Sequence, residues 1–137
     1  MLMVREIEDI IADFEDFSIE GDYMQKISKL TDELIGTGKP ELALDAMLAI
    51  LERYPDEEIG SPGPLAHAIE KCPGFEPKLL QSIERMPSTL SIWILYRLIQ
   101  KSPKEEFVKA LEIAAGHPLA SEQIHEDAKL LLSWVAR

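Results

Sequence analysis

Residues 89–101 read Thr-Leu-Ser-Ile-Trp-Ile-Leu-Tyr-Arg-Leu-Ile-Gln-Lys, and whether this run is strand or helix decides the fold class. Its β-branched and aromatic residues would suit a strand. A half-buried strand alternates apolar and polar positions, however, and this run does not. It is also longer than the roughly 4–8 residues of a fully buried strand. The reading is therefore a central helix, covered by neighbours on most sides. Residues 41–54 read the same way, with Leu42, Leu44, Met47, Leu48, Ile50 and Leu51 spread around the helix.

Working outward, every other periodic segment agrees. Tyr23, Ile27, Leu30 and Leu34 step at helical spacing, which predicts an amphipathic helix over 22–35 closed by Gly36 or Gly38. An amino-terminal helix over 2–14 should turn Val4, Ile7, Ile10, Ile11 and Phe14 inward. Ser102-Pro103-Lys104-Glu105 has the serine, the first-turn proline and the glutamate of a capping box. The helix it starts should bury Phe107, Leu111 and Ala114 and stop at Gly116-His117-Pro118. A last helix over 120–136 should bury Ile124, Ala128, Leu131, Leu132 and Val135. No strand pair or hairpin turn is evident.

The expected fold is all-α, with about seven to eight helices in a single domain over 1–137. Leu51-Glu52-Arg53-Tyr54-Pro55 is echoed by Ile83-Glu84-Arg85-Met86-Pro87, and Pro118 ends a further helix. Such spacing suits stacked antiparallel helix hairpins of a HEAT-like, α-solenoid-like kind, in which each pair needs a neighbour to bury its apolar face. A less regular bundle explains the same prolines.

Charge is unevenly distributed. Residues 1–60 carry 16 Asp/Glu against 5 Lys/Arg, and residues 61–137 carry 9 against 9, so the whole net charge of −11 lies in the first part. Such a field repels nucleic acid and anionic lipid and speeds encounter with a basic protein surface. Candidate partner-binding residues are Asp9, Asp13, Glu15, Asp16, Glu20, Asp22, Asp56, Glu57 and Glu58. Their bland reading is the solvated faces of two helices and a loop. The chain starts Met-Leu-Met-Val-Arg-Glu-Ile-Glu-Asp, without the basic, apolar and small-residue order of an export signal. No apolar stretch approaches the ~20 residues of a membrane span. A single cysteine, Cys72, forms no internal disulfide. A cytoplasmic protein is expected, with no membrane or direct nucleic-acid partner.

Chemical motifs are sparse. Residues 59–70 read Ile-Gly-Ser-Pro-Gly-Pro-Leu-Ala-His-Ala-Ile-Glu, a tight corner that releases a helix with Pro64 in its first turn. Ser61 lacks the Gly-x-Ser-x-Gly setting of a nucleophile elbow, and no Gly-Lys-Ser/Thr follows to cradle a phosphate. His67, His117 and His125 form no His-x-x-x-His pair. No catalytic residue, metal or cofactor is assigned. Cys72 reads as an inert, partly buried thiol, Trp93 and Tyr96 as core, and Trp134 as half exposed.

The corner at 60–70, the run Leu79-Leu80-Gln81-Ser82-Ile83-Glu84-Arg85-Met86-Pro87-Ser88 and the run Ile92-Trp93-Ile94-Leu95-Tyr96-Arg97-Leu98-Ile99 together resemble a group of small helical bacterial proteins. That group is similar to immunity proteins encoded beside polymorphic or contact-dependent growth inhibition toxins. The likeness covers about residues 56–115. It implies intracellular binding and neutralisation of one cognate toxin domain, commonly a nuclease; the acidic charge of residues 1–60 adds the expectation that a basic surface is occluded. The acidic residues before 56 lie outside it. A helical-repeat adaptor without a toxin link would use the same sequence features.

Overall fold

A computed structural model describes residues 5–57, 59 and 63–135. Among the described residues eight α-helices follow one another: α1 (Ile7–Glu15), α2 (Tyr23–Gly36), α3 (Leu44–Arg53), α4 (Gly63–Glu70), α5 (Phe75–Arg85), α6 (Thr89–Lys101), α7 (Glu105–Ala115) and α8 (Glu122–Val135). A 3₁₀ turn over Pro40–Ala43 precedes α3. The described chain is 74% helical, and no strand occurs among the described residues. The protein is all-α. Val4 and Ala136, at the outer ends of the first and last expected helices, lie outside the described residues.

The helices group into two compact units. One comprises Met1–Ile50 and Ile59–Phe75, the other Leu51–Glu58 and Glu76–Arg137. In the first unit α1 packs on α2 and on the 3₁₀ turn, and α2 packs on α4. Ile10 and Phe14 of α1, Ile27 and Leu34 of α2, and Leu65 and Ile69 of α4 are fully buried. Each pair is four or seven residues apart on its helix, which is the spacing that puts side chains on one face. Ile7 and Ile11 are only half-buried, and Leu42 is exposed, because the 3₁₀ turn rather than α3 carries it. Gly38, just past α2, has φ +73°, the left-handed stop that glycine adopts without strain.

In the second unit α6, α7 and α8 pack on one another in all three pairings. Leu90, Ile94 and Leu95 of α6, Leu111 and Ala114 of α7, and Ile124 and Ala128 of α8 are fully buried. Ser88 starts α6 with a complete capping box: its hydroxyl accepts the Ser91 N–H at 2.9 Å, and the Ser91 hydroxyl accepts the Ser88 N–H at 2.9 Å. The two sequence echoes meet here. Arg53 ends α3 and Arg85 ends α5. Between the copies, Glu52 accepts the Ser82 hydroxyl at 2.8 Å and the Arg85 guanidinium at 2.8 and 3.1 Å, while the Thr89 N–H reaches the Pro55 carbonyl at 2.7 Å.

Two expected helix ends are different. Ser102 does not cap α7, which begins at Glu105 after Lys104, without a side-chain cap. Ser102 instead ends α6, its N–H donating to the Leu98 carbonyl, and its own carbonyl accepts the Lys104 N–H at 2.8 Å. That three-residue turn uses up Pro103, which therefore cannot be the first helical residue. Gly116, after α7, stays at φ −128° rather than in the left-handed region. The stop is made by His117, whose Nδ1 accepts the Leu119 N–H at 3.1 Å and whose Nε2 donates to the Glu84 carbonyl at 2.7 Å.

Candidate protein-contact site

Helix α1 turns its apolar positions Ile10 and Phe14 into the first unit, so Asp9, Asp13 and Asp16 follow one another along its exposed side. Their spacing of four and three residues places them on one stripe. Glu15 is exposed in the last helical position, and Glu20 and Asp22 are exposed in the segment leading to α2. Of these six, Asp13 has an ion-pair partner, and Glu20 accepts a long hydrogen bond from the Ser18 hydroxyl at 3.5 Å. Asp22 precedes α2 but makes no side-chain cap bond. Neither Asp9, Glu15, Asp16 nor Asp22 has a side-chain partner among the described residues.

The placement of Glu15 and Asp16 works against the helix. The carboxyl end of a helix carries a partial negative charge. Two carboxylates sit there and no basic residue occupies the last turn. The dipole therefore opposes them.

A hollow of about 480 Å³ opens beside this stripe, lined by Arg5, Asp13, Asp16, Phe17, Ser18, Lys26, Lys29, Leu30 and Glu33. One wall is α1, with Asp13 and Asp16. The other is α2, where Lys26, Lys29 and Glu33 recur at i, i+3 and i+7. Phe17 and Leu30, each at least nine-tenths buried, supply the apolar lining, and Phe17 meets Tyr23 edge to face at 6.5 Å. Arg5, two residues before α1, spans the walls. Its Nη1 donates to Asp13 Oδ2 at 2.7 Å, and its Nε and Nη2 donate to the two Glu33 oxygens at 2.9 and 3.1 Å. These bonds, to Glu33 foremost and then to Asp13, push the Arg5 guanidinium pKa still further above its ordinary value.

The remaining acidic candidates lie elsewhere. Asp56 and Glu57 belong to the second unit and are exposed; Glu58 lies outside the described residues. Asp56 has a structural task. It accepts the Ser121 hydroxyl at 2.5 Å, and that hydroxyl oxygen accepts the Ile124 N–H at 3.2 Å to cap α8. The candidate residues thus divide: those from Asp9 to Asp22 fall in one unit and those from Asp56 onward in another.

The other singled-out residues have local explanations. Gly60, Ser61 and Pro62 lie outside the described residues, while Gly63 begins α4 at φ +52°, a conformation that disfavours any side chain. Cys72 is 2% exposed, its thiol donates to the Ala68 carbonyl at 3.3 Å, and burial pushes its pKa up to about 11. Such a thiol is a poor nucleophile. Trp93 and Tyr96 are half-buried with ring centroids 6.0 Å apart, and Tyr96 meets Trp134, which is 48% exposed, at 5.9 Å. His125 Nε2 donates to the His117 carbonyl at 2.6 Å, and His67 is exposed. Among the described residues no group of three or more His, Cys, Asp or Glu is placed to hold a metal ion, and no helix is long and apolar enough to cross a membrane.

Sequence reasoning missed Arg5, Lys26, Lys29 and Glu33 as parts of a site. The three α2 residues carry a signal, since they share one stripe. The joining of Arg5 to Glu33 carries none, because a pairing across 28 positions has no local pattern. Comparison with protein-family models, curated proteins and solved structures finds no match, so the functional reading rests on residues and geometry.

Proposed function

We propose that this chain is a cytoplasmic immunity protein that binds a basic toxin domain, a nuclease in the first instance, and blocks it with the acidic face of α1 and the segment that follows. The carrying observation is the group Asp9, Glu15, Asp16 and Asp22: exposed, without side-chain partners among the described residues, and in part set against the helix dipole. Carboxylates that oppose their own helix are retained against stability, as functional residues often are. A basic cleft would reverse that penalty and draw the partner in along the field. The resemblance over 56–115 supports the toxin link.

The test is co-expression with the toxin domain encoded beside this gene. Wild-type protein restores growth. The variant Glu15→Gln, Asp16→Asn, Glu20→Gln, Asp22→Asn accumulates as folded protein but protects poorly. Equal protection by both proteins rules out this face, and a neighbouring gene that encodes no toxin favours the adaptor.

A further inference from the structure

We propose that Asp13 and Glu33 form a guanidinium-recognition site, which Arg5 fills in the free protein and which an arginine of the partner takes over on binding. The site is built from two elements. Asp13 comes from α1 and Glu33 from α2, and their three oxygens meet the planar donors of one guanidinium at 2.7, 2.9 and 3.1 Å. This is the fork-on-carboxylate arrangement that suits arginine and that an ammonium cannot reproduce. Glu33 is the better-defined half, with a side chain 27% exposed against 47% for Asp13.

The occupant is open to exchange. Arg5 reaches the site from outside α1 with its side chain 38% exposed, so solvent and salt screen its ion pairs and an incoming guanidinium can reproduce the same bonds. Space for a replacement adjoins the site, because the hollow beside Arg5 holds about 480 Å³ and is lined on the same side by Asp16, Phe17 and Leu30. Asp16 has no side-chain partner among the described residues, so it offers a further acceptor to an incoming arginine. Lys26 and Lys29 also line the hollow, so a cation gains there only where it meets the carboxylates directly. The free protein therefore carries in Arg5 an internal substitute for its partner's arginine, which keeps the site from being an uncompensated acid pair. Arginine is also, with tryptophan and tyrosine, one of the side chains enriched among the residues that dominate protein interfaces.

The partner half of this inference rests on the proposed function; the site itself is tested without any partner. Nitrogen-15-labelled wild type, Arg5→Ala and the double variant Arg5→Ala, Glu33→Gln are titrated with ethylguanidinium chloride at millimolar concentration, with ethylammonium chloride as the control, while amide shifts are followed. In Arg5→Ala the amides of Phe17, Ser18 and Leu30 should shift saturably with ethylguanidinium and not with ethylammonium. Wild type should bind at least about threefold more weakly, since Arg5 competes for the site with the modest advantage of an exposed ion pair. The double variant should show no such shift. If Arg5→Ala melts lower, ethylguanidinium must raise its melting temperature and ethylammonium must not, because a ligand of the folded state stabilises by mass action. Absence of a guanidinium-selective shift in Arg5→Ala, persistence of that shift in the double variant, or a loss of fold that ethylguanidinium does not restore overturns the proposal. None of these outcomes touches the growth test, whose variant changes Glu15, Asp16, Glu20 and Asp22 and leaves Asp13 and Glu33 in place.

Discussion

The two units differ in net charge, and within each the fold holds some acids and leaves others open. The first carries 13 Asp/Glu against 5 Lys/Arg, a formal −8, and the second carries 12 against 9, a formal −3. In the second unit several acids are employed by the fold: Glu52 receives Ser82 and Arg85, Asp56 receives the Ser121 cap, and Asp127 receives Gln123. In the first unit Asp13 and Glu33 are joined through Arg5, while Asp9, Glu15, Asp16 and Asp22 have no side-chain partner among the described residues. Charge that the fold employs and charge that it leaves open cannot be told apart by counting. Hydrogen-bond partners and helix position separate them.

The largest effects should come from the cores, where the units are alike. Phe14→Ala in the first and Leu95→Ala in the second remove fully buried side chains and should lower stability by about 3–5 and 2–5 kcal/mol, measured by urea unfolding. Loss below about 0.5 kcal/mol, the range of surface substitutions, would remove that helix from the core. The next effect separates the units. Glu52→Ala leaves the fully buried Ser82 hydroxyl without its acceptor and should cost about 1–3 kcal/mol. Exposed Glu15→Ala, at the carboxyl end of α1, should stay within about 0.5 kcal/mol of wild type. Equal effects would erase the distinction between employed and open acids.

Capping supplies a finer contrast inside the second unit. Ser88→Ala removes an observed cap and should cost about 0.5–2 kcal/mol. Ser102→Ala removes no side-chain cap of α7 and should change stability by less than about 0.5 kcal/mol. A Ser102→Ala loss matching that of Ser88→Ala would restore the capping box expected at Ser102.

Those two serines also show what could be read in advance. The 89–101 helix is found where its length and lack of alternation place it, and α2 lies within one residue of expectation at each end, because apolar periodicity is a local signal. The box at Ser102-Pro103-Lys104-Glu105 fits the pattern and is absent, since closing α6 claims the serine and a tight turn claims the proline. The box at Ser88 is present but unadvertised: its third residue is Ser91, not the glutamate or glutamine that marks the motif. Within the site, the acidic residues from Asp9 to Asp22 were legible from the charge of the first 60 positions, whereas their stripe became visible only with α1 in place. The Arg5 clamp and the Ser121 hold on Asp56 were not legible, because they join residues 28 and 65 positions apart.

The smallest stability effect carries an unusual sign. Glu15→Gln with Asp16→Asn relieves charge at the carboxyl end of α1 and should raise stability, by about 0.3–1 kcal/mol at low salt, an increment that salt screens. Thermal or urea unfolding of the pair at two ionic strengths reads it. A loss instead of a gain would mean that these acids hold the fold together after all.

The central claim, that the open acids of the first unit serve recognition, is tested most directly by association kinetics. The captured toxin domain is mixed with wild type and with the variant Glu15→Gln, Asp16→Asn, Glu20→Gln, Asp22→Asn across a salt series. Steering acts over about a Debye length, ~8 Å at physiological ionic strength. The account predicts association by the variant that is slowed about tenfold or more at low salt, with the two rates converging as salt rises. Identical association rates and identical salt slopes would contradict it.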